Sequence, residues 1–161
     1  MPNIRLATAK DFDEIWRIFK KIILRGDTYS NDVETTKSRA RGKWMNIEAK
    51  TFVAEIEGKI RGAYLLKPNQ VGRASHIANA SYIVDEEARG CGIGKALALH
   101  SISQAKADGY KAMQFNFVVS TNLAALNLWK SVGFKIIGTV PRGFKHKELG
   151  YVDFYIMFRE L

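Results

Sequence analysis

Apolar positions recur along the chain with two different periods, and the switches between them divide it into elements. Ile4 to Ala7 is short and extended. Phe12, Ile15, Trp16, Phe19, Ile22 and Ile23 then fall on one face of a helix that Thr8 can cap. From Asp32 to about Ala49 a polar stretch with Trp44, Met45 and Ile47 near its end predicts a second helix, after the loop Gly26 to Asn31. Thr51 to Glu57 and Ile60 to Leu66 are β-branched and aromatic runs around Gly58 and Lys59, the composition of a tight hairpin, and Ser75 to Val84 extends it to an antiparallel meander.

The period changes again from Gly94 to Ala107, where Ala96, Leu97, Leu99, His100 and Ile102 stand at helical spacing and Gly109 ends the run. A crossover helix implies a parallel strand after it, and Ala112 to Val119 supplies one. A helix from about Asn122 to Ser131, stopped by Gly133, precedes two last strands, Lys135 to Val140 and Val152 to Arg159, with a polar loop between them. The order predicts one α/β domain over residues 1–161, a mixed sheet of about seven strands with helices on both faces.

Composition narrows the classes of function. With 161 residues, 47% of them hydrophobic and only three prolines, the chain can bury a continuous core. No apolar run is long enough to cross a bilayer and Met1 to Leu6 lacks the shape of a signal peptide, so the expected place is the cytoplasm, with no membrane partner. One cysteine, Cys91, and three scattered histidines, His76, His100 and His146, predict neither a disulfide nor a metal site. The formal charge of +9 suits nucleic acid, a phosphorylated ligand or plain solubility. Its lysines and arginines are dispersed, with short clusters at Lys37 to Lys43 and Arg142 to Lys147 and no aromatic interleaving, so no nucleic-acid partner is expected.

Chemistry concentrates between the strand ending at Val84 and the following helix. There Arg89, Gly90, Cys91, Gly92, Ile93, Gly94 and Lys95 place three alternate glycines at a strand-to-helix turn. Glycine permits positive φ and close approach of a ligand, and a helix start offers unpaired N–H groups to an anion, so the segment reads as a phosphate cradle. Ala96 follows the Gly-Lys pair where a Walker loop needs Ser or Thr, and only Ile93 separates the last two glycines where a dinucleotide fingerprint needs two residues. Cys91 could act as a nucleophile at a helix start, but it has no histidine near it in sequence, and a spacer role suffices.

The Arg-x-x-Gly-x-Gly signature resembles that of the GNAT superfamily of N-acetyltransferases. The same resemblance covers the order of elements over nearly the whole chain, and Asn122, Ala125, Gly133 and Phe134 stand at that family's Asn-x-x-Ala and Gly-Phe positions. It implies acetyl-CoA as co-substrate, with no metal. It also implies pyrophosphate on the amides of Gly90 to Lys95, the pantetheine arm paired with backbone of Tyr82, Ile83 and Val84 where two strands splay apart, and a hydrogen bond from Asn122 to that arm. The N–H of Val84 would donate to the developing oxyanion. Trp129 stands where the family often has a tyrosine that protonates the leaving thiolate, and an indole cannot supply that proton. Water, backbone N–H groups, Tyr82 or Tyr155 would have to assist.

On the acceptor side the fourth strand carries no carboxylate from Ser75 to Val84, so water is expected to relay the amine's proton. Asn79 and Ser81 on that strand, with Gln114 and Asn116 on the next, are polar residues on apolar strands. Asn79 and Asn116 either hold the substrate's amine or carboxylate or hydrogen-bond within the core. His146 reads as solvated surface; Trp16, Phe19 and Trp44 read as core, with Tyr29 and Trp44 able to line a cleft. Asn79 to Tyr82, Gln114 to Phe117 and the Pro141 to Gly150 loop are similar to the branch that acetylates small cyclic imino acids such as azetidine-2-carboxylate, which makes a small amino or imino acid the leading acceptor. A protein lysine or N-terminal amine and a silent acyl-CoA-binding module are the alternatives. The edge strands at the carboxyl end would suit a homodimer.

Overall fold

The computed structural model describes residues 1–161. The strands β1 (Asn3–Leu6), β2 (Lys50–Ile56), β3 (Lys59–Pro68), β4 (Ile77–Val84), β5 (Ala112–Val119), β6 (Lys135–His146) and β7 (Gly150–Glu160) form one sheet in the order β1-β2-β3-β4-β5-β7-β6. All neighbours are antiparallel except β4 and β5, the pair joined by the crossover helix. The helices α1 (Phe12–Arg25) and α2 (Lys37–Trp44) cover one face, and α3 (Ile93–Ala107) and α4 (Leu123–Ser131) the other. The seven-stranded mixed sheet matches the sequence reading.

Alternation along the strands assigns their side chains to two cores. Val53, Ala63, Leu65 and Ile83 point to the α1 side, where they meet Phe12, Ile15, Phe19, Ile22 and Trp44. Tyr64, Ala78, Ala80, Met113 and Phe115 point to the α3 side, against Ile93, Leu97, Ile102 and Trp129. Gly62 lets α3 lie close over β3, since a Cβ there would stand 2.9 Å from the Ile83 carbonyl oxygen and 3.0 Å from Ile93. Trp16, expected in the core, is half-buried at its edge.

Three boundaries differ from the sequence reading, each for a local reason. The second helix is shorter than Asp32 to Ala49. The hydroxyl of Thr36 caps it by accepting from the N–H of Arg39, and a turn in which the N–H of Glu48 donates to Asn46 Oδ1 (2.8 Å) leads the chain away. The fourth strand starts at Ile77 because Gly72–Ala74 form a 3₁₀ turn. The polar tract after Val140 is strand for most of its length: β6 and β7 pair as far as His146 and Gly150. Pro141 and Gly143 fit there because β6 is the sheet's edge and a register shift between Val140 and Phe144 absorbs them, with Arg142 at φ 53° and its N–H donating to Asp153.

Candidate active site

β4 and β5 pair only at Ile77 with Ala112 and Ala78 with Met113, then separate. β5 shifts register against β7 between Phe115 and Val118, and an aromatic group fills the base of the wedge. Trp129 from α4 lies 4.7 Å, ring centre to ring centre, from both Tyr82 and Phe115, and Phe134 stacks on Phe115 at 4.3 Å. These rings pack against one another on the α3 face where the strands part.

The β3 ladder determines which β4 backbone groups face that gap. Asp85 N–H donates to the Arg61 carbonyl, and the Ile77 carbonyl accepts from Asn69, so odd-numbered residues of β4 bond to β3. The main-chain groups of Tyr82 and Val84 therefore turn to the gap, whereas those of Ile83 belong to the ladder and its side chain to the α1 core. Of the three residues that the sequence suggested, Tyr82 and Val84 present main-chain groups to the gap, while Ile83 lines the cavity with its main chain engaged in the ladder. The Tyr82 carbonyl accepts a 2.8 Å hydrogen bond from the hydroxyl of Tyr29, which fastens the segment between α1 and α2 over the gap.

At the end of β4 the buried carboxylate of Asp85 accepts from Arg17 (2.7 Å), Arg61 (3.2 Å) and the N–H of Glu87. Burial alone would raise its pKa, but these donors outweigh it and hold it below the usual carboxylate range. The chain then enters the glycine turn. Gly90 and Gly92 have φ of 79° and 74°, and a Cβ on either would meet no protein atom within 4 Å. Of the amides from Arg89 to Lys95, those of Arg89 and Cys91 donate to Glu86 and Ala88; those of Gly90, Gly92, Ile93, Gly94 and Lys95 have no acceptor in the chain. They cluster at the positive end of α3, a helix of 15 residues. The side chains of Arg89 and Lys95 are exposed beside them, Cys91 is exposed, and Ile93 is buried under the helix.

A cavity of about 850 Å³ runs from Arg89, Gly90 and Gly94 along the gap to the α1 side of the sheet, a size that suits a cofactor-bearing site. Tyr82, Val84, Asn122 and Trp129 line it. Asn122 Oδ1 caps α4 by accepting from Ala125 N–H at 3.3 Å, which leaves its amide nitrogen for another partner. The hydroxyl of Tyr82 is paired with Ser101 Oγ at 2.7 Å on the α3 side, and burial pushes its pKa up against the opposing pull of Ser101. A phenol so placed holds its proton more tightly than usual and is engaged with Ser101, which weighs against an acid's role for Tyr82.

Asn79 and Asn116 also line the cavity, on its α1 side, and both are hydrogen-bonded within the chain. The amide nitrogen of Asn79 donates to the Gln114 carbonyl at 2.9 Å, leaving its oxygen free. Asn116, exposed, donates to Asn69 Oδ1 at 2.6 Å and accepts from Gln114 at 2.9 Å. Tyr29 lines the same end; Trp44 does not, being wholly buried beneath Phe19.

Lys43 and His146 are lining residues whose place the sequence reading missed. Lys43 reaches the cavity from α2, its Nζ 4.7 Å over the Tyr29 ring and 5.3 Å over the Phe19 ring. Burial, and secondarily the charge of Lys67, push its pKa down to about 8. His146, read as solvated surface, comes to the cavity on the β6–β7 hairpin, which docks on the end of α1 through Lys147 N–H to the Gly26 carbonyl (3.0 Å). Its Nδ1 accepts from the N–H groups of Glu148 and Leu149 and so shapes the turn. Neither signal is local: a lysine within a polar helix and a histidine within a basic tract look like solvated surface until the elements pack.

Comparison with known proteins agrees with this arrangement. The sequence profile described as the acetyltransferase (GNAT) family matches residues 13–134. N-acetyltransferase aca1 of Schizosaccharomyces pombe is 32% identical over 148 residues, 81% of this chain and 71% of that protein. The structure of a GCN5-related N-acetyltransferase from Kribbella flavida superposes with a TM-score of 0.96 at 40% identity, covering 99% of this chain and 98% of that one. The fold is shared at 22% identity (TM-score 0.89, 99% and 88% coverage) by a GNAT superfamily phosphinothricin acetyltransferase from Sinorhizobium meliloti, solved in complex with AcCoA. With a splayed parallel strand pair, a run of open amides above it and a family match over most of its length, the chain belongs to the acetyltransferase (GNAT) family.

Proposed function

We propose that this chain, working as one N-acetyltransferase domain, transfers the acetyl group of acetyl-CoA to the amine of a small molecule, an amino or imino acid, by direct attack in a ternary complex. One observation carries the reading: amides without acceptors at the start of α3 stand at one end of a cavity whose other end is lined by neutral amides and a lysine. The residues fit the co-substrate. Gly90, Gly92, Ile93, Gly94 and Lys95 offer N–H groups to the pyrophosphate, Arg89 and Lys95 add charge, and Cys91 is a spacer in the turn. The main chain of Tyr82 and Val84 faces the pantetheine arm, Asn122 has an amide to give it, and Trp129 forms a wall.

Bound acetyl-CoA supplies an activated thioester. The acceptor nitrogen forms a bond to the acetyl carbon, the C–S bond breaks, and the thiolate takes a proton. Val84 N–H, open to the gap, is placed to donate to the carbonyl oxygen as charge builds there. Asn79 and Asn116 hold the acceptor on the α1 side. No carboxylate lies on the gap-facing part of β4, so water carries the proton away from the amine and brings one to the thiolate. Small imino acids such as azetidine-2-carboxylate lead the acceptor classes on the local sequence similarity of Asn79 to Tyr82 and Gln114 to Phe117.

Free-thiol release from acetyl-CoA with a panel of amino acids, imino acids and short peptides tests the reading. Turnover with free amino or imino acids is expected; turnover with peptides alone would contradict it.

A further inference from the structure

The cavity's acceptor end has an unbalanced charge. Arg25, also on its wall, is taken up by Glu86 at 2.7 Å and Asp27 at 3.3 Å. Lys43 has no carboxylate within ion-pair distance, and the charged group that influences it most is another cation, Lys67. On the sheet Lys67 stands opposite Asn79, so both lysines border the same neutral polar patch. The ammonium of Lys43 rests over Phe19 and Tyr29, whose ring faces steady a cation but satisfy none of its hydrogen-bond donors. A half-buried ammonium beside a second cation, without an acid, carries an unmatched charge that an anion at this end would balance.

We propose that Lys43 is the anchor for an anionic group on the acceptor, so that the site selects amines that also carry a free carboxylate. This rests on the small-molecule reading above and sharpens it, because Asn79 and Asn116 alone would not separate an amino acid from its amide. Charge distinguishes the two: the carboxylate meets Lys43, while the amine lies nearer the gap, where the acetyl group is presented. Lys67 adds longer-range attraction from β3.

The test compares kcat/KM for alanine, proline and azetidine-2-carboxylate with kcat/KM for their carboxamides, in the wild-type protein and in Lys43→Met. Met keeps the length and apolar stem of the side chain, so it suits the aromatic surroundings, and calorimetric binding of acetyl-CoA verifies that the variant is folded. The wild type is expected to favour the acids at least tenfold. Lys43→Met should lower that ratio at least tenfold, chiefly through the KM of the acids. A wild-type ratio near one, or a ratio that Lys43→Met leaves in place, would overturn the anchor and leave the transferase reading standing. Failure of the wild type to acetylate any of these amines would overturn both.

Discussion

Gly92→Ala separates what the glycine turn does for the fold from what it does for a ligand. Gly92 sits at φ 74° and ψ 6° just before α3. An alanine there pays left-handed backbone strain of roughly 1–2 kcal/mol, but its Cβ meets no protein atom within 4 Å. In a chain of this length each kcal/mol corresponds to about 2–4 °C in Tm, so a loss of a few degrees is expected. The added methyl projects into open space at a turn whose amides are unpaired, where a bound phosphate would have to approach. Displacing a phosphate from one charge-assisted hydrogen bond costs about 1.5–3 kcal/mol, which weakens acetyl-CoA binding roughly ten- to a hundredfold. Gly109, at φ 84° and equally open, lies past the other end of α3 and supplies the control. Thermal unfolding and calorimetric titration of both variants should show similar losses in Tm, with weaker acetyl-CoA binding in Gly92→Ala alone. Equal affinities in the two variants would refute the cradle.

Asp85→Asn leaves Arg17 and Arg61 facing a neutral amide at a buried position and should destabilise the fold by about 2 kcal/mol or more, measured by urea unfolding; a change under about 0.5 kcal/mol would show that the cluster is not structural. Acid stability follows from the same groups. Hydrogen bonds from Arg5 hold Asp11 at about 2, and Asp85 also lies below its ordinary value of 3.8. Because both folded values are depressed, their contribution is complete above that ordinary value and lost as pH falls toward 2. Tm should therefore drop steeply between about pH 4 and pH 2, and a flat profile there would contradict the assignment. Trp129→Phe keeps a ring beside Tyr82 and Phe115 but deletes the indole N–H; kcat should change less than about threefold if that group moves no proton, and a hundredfold loss would assign it a catalytic part.

Sequence alone disclosed the elements whose causes are local. Alternate glycines beside Arg89 announce a turn with open amides because positive φ and a free helix start are properties of a few consecutive residues. The parallel strand β5 followed from the crossover helix, whereas the place of β7 between β5 and β6 did not. The packing at the wedge was harder, because Tyr82, Phe115 and Trp129 come from three elements and meet only in the folded chain. Likewise, Pro141 and Gly143 look like loop residues, and only the edge position of β6 makes them compatible with a strand. Lys43 carries no signal in its own helix, since what marks it is the aromatic pair beneath it and the missing acid. Ile83 could be read as one of three equivalent backbone contacts until the ladder showed which residues face β3.

The central claim is that acetyl-CoA lies along the open amides of α3 and the gap-facing backbone of β4. Backbone amide NMR during titration with acetyl-CoA tests it most directly. The largest shifts should fall on Gly90, Gly92, Ile93, Gly94, Lys95 and Val84, with Ile83 moving less than Val84. Saturable binding that left those resonances in place and moved others instead would contradict it.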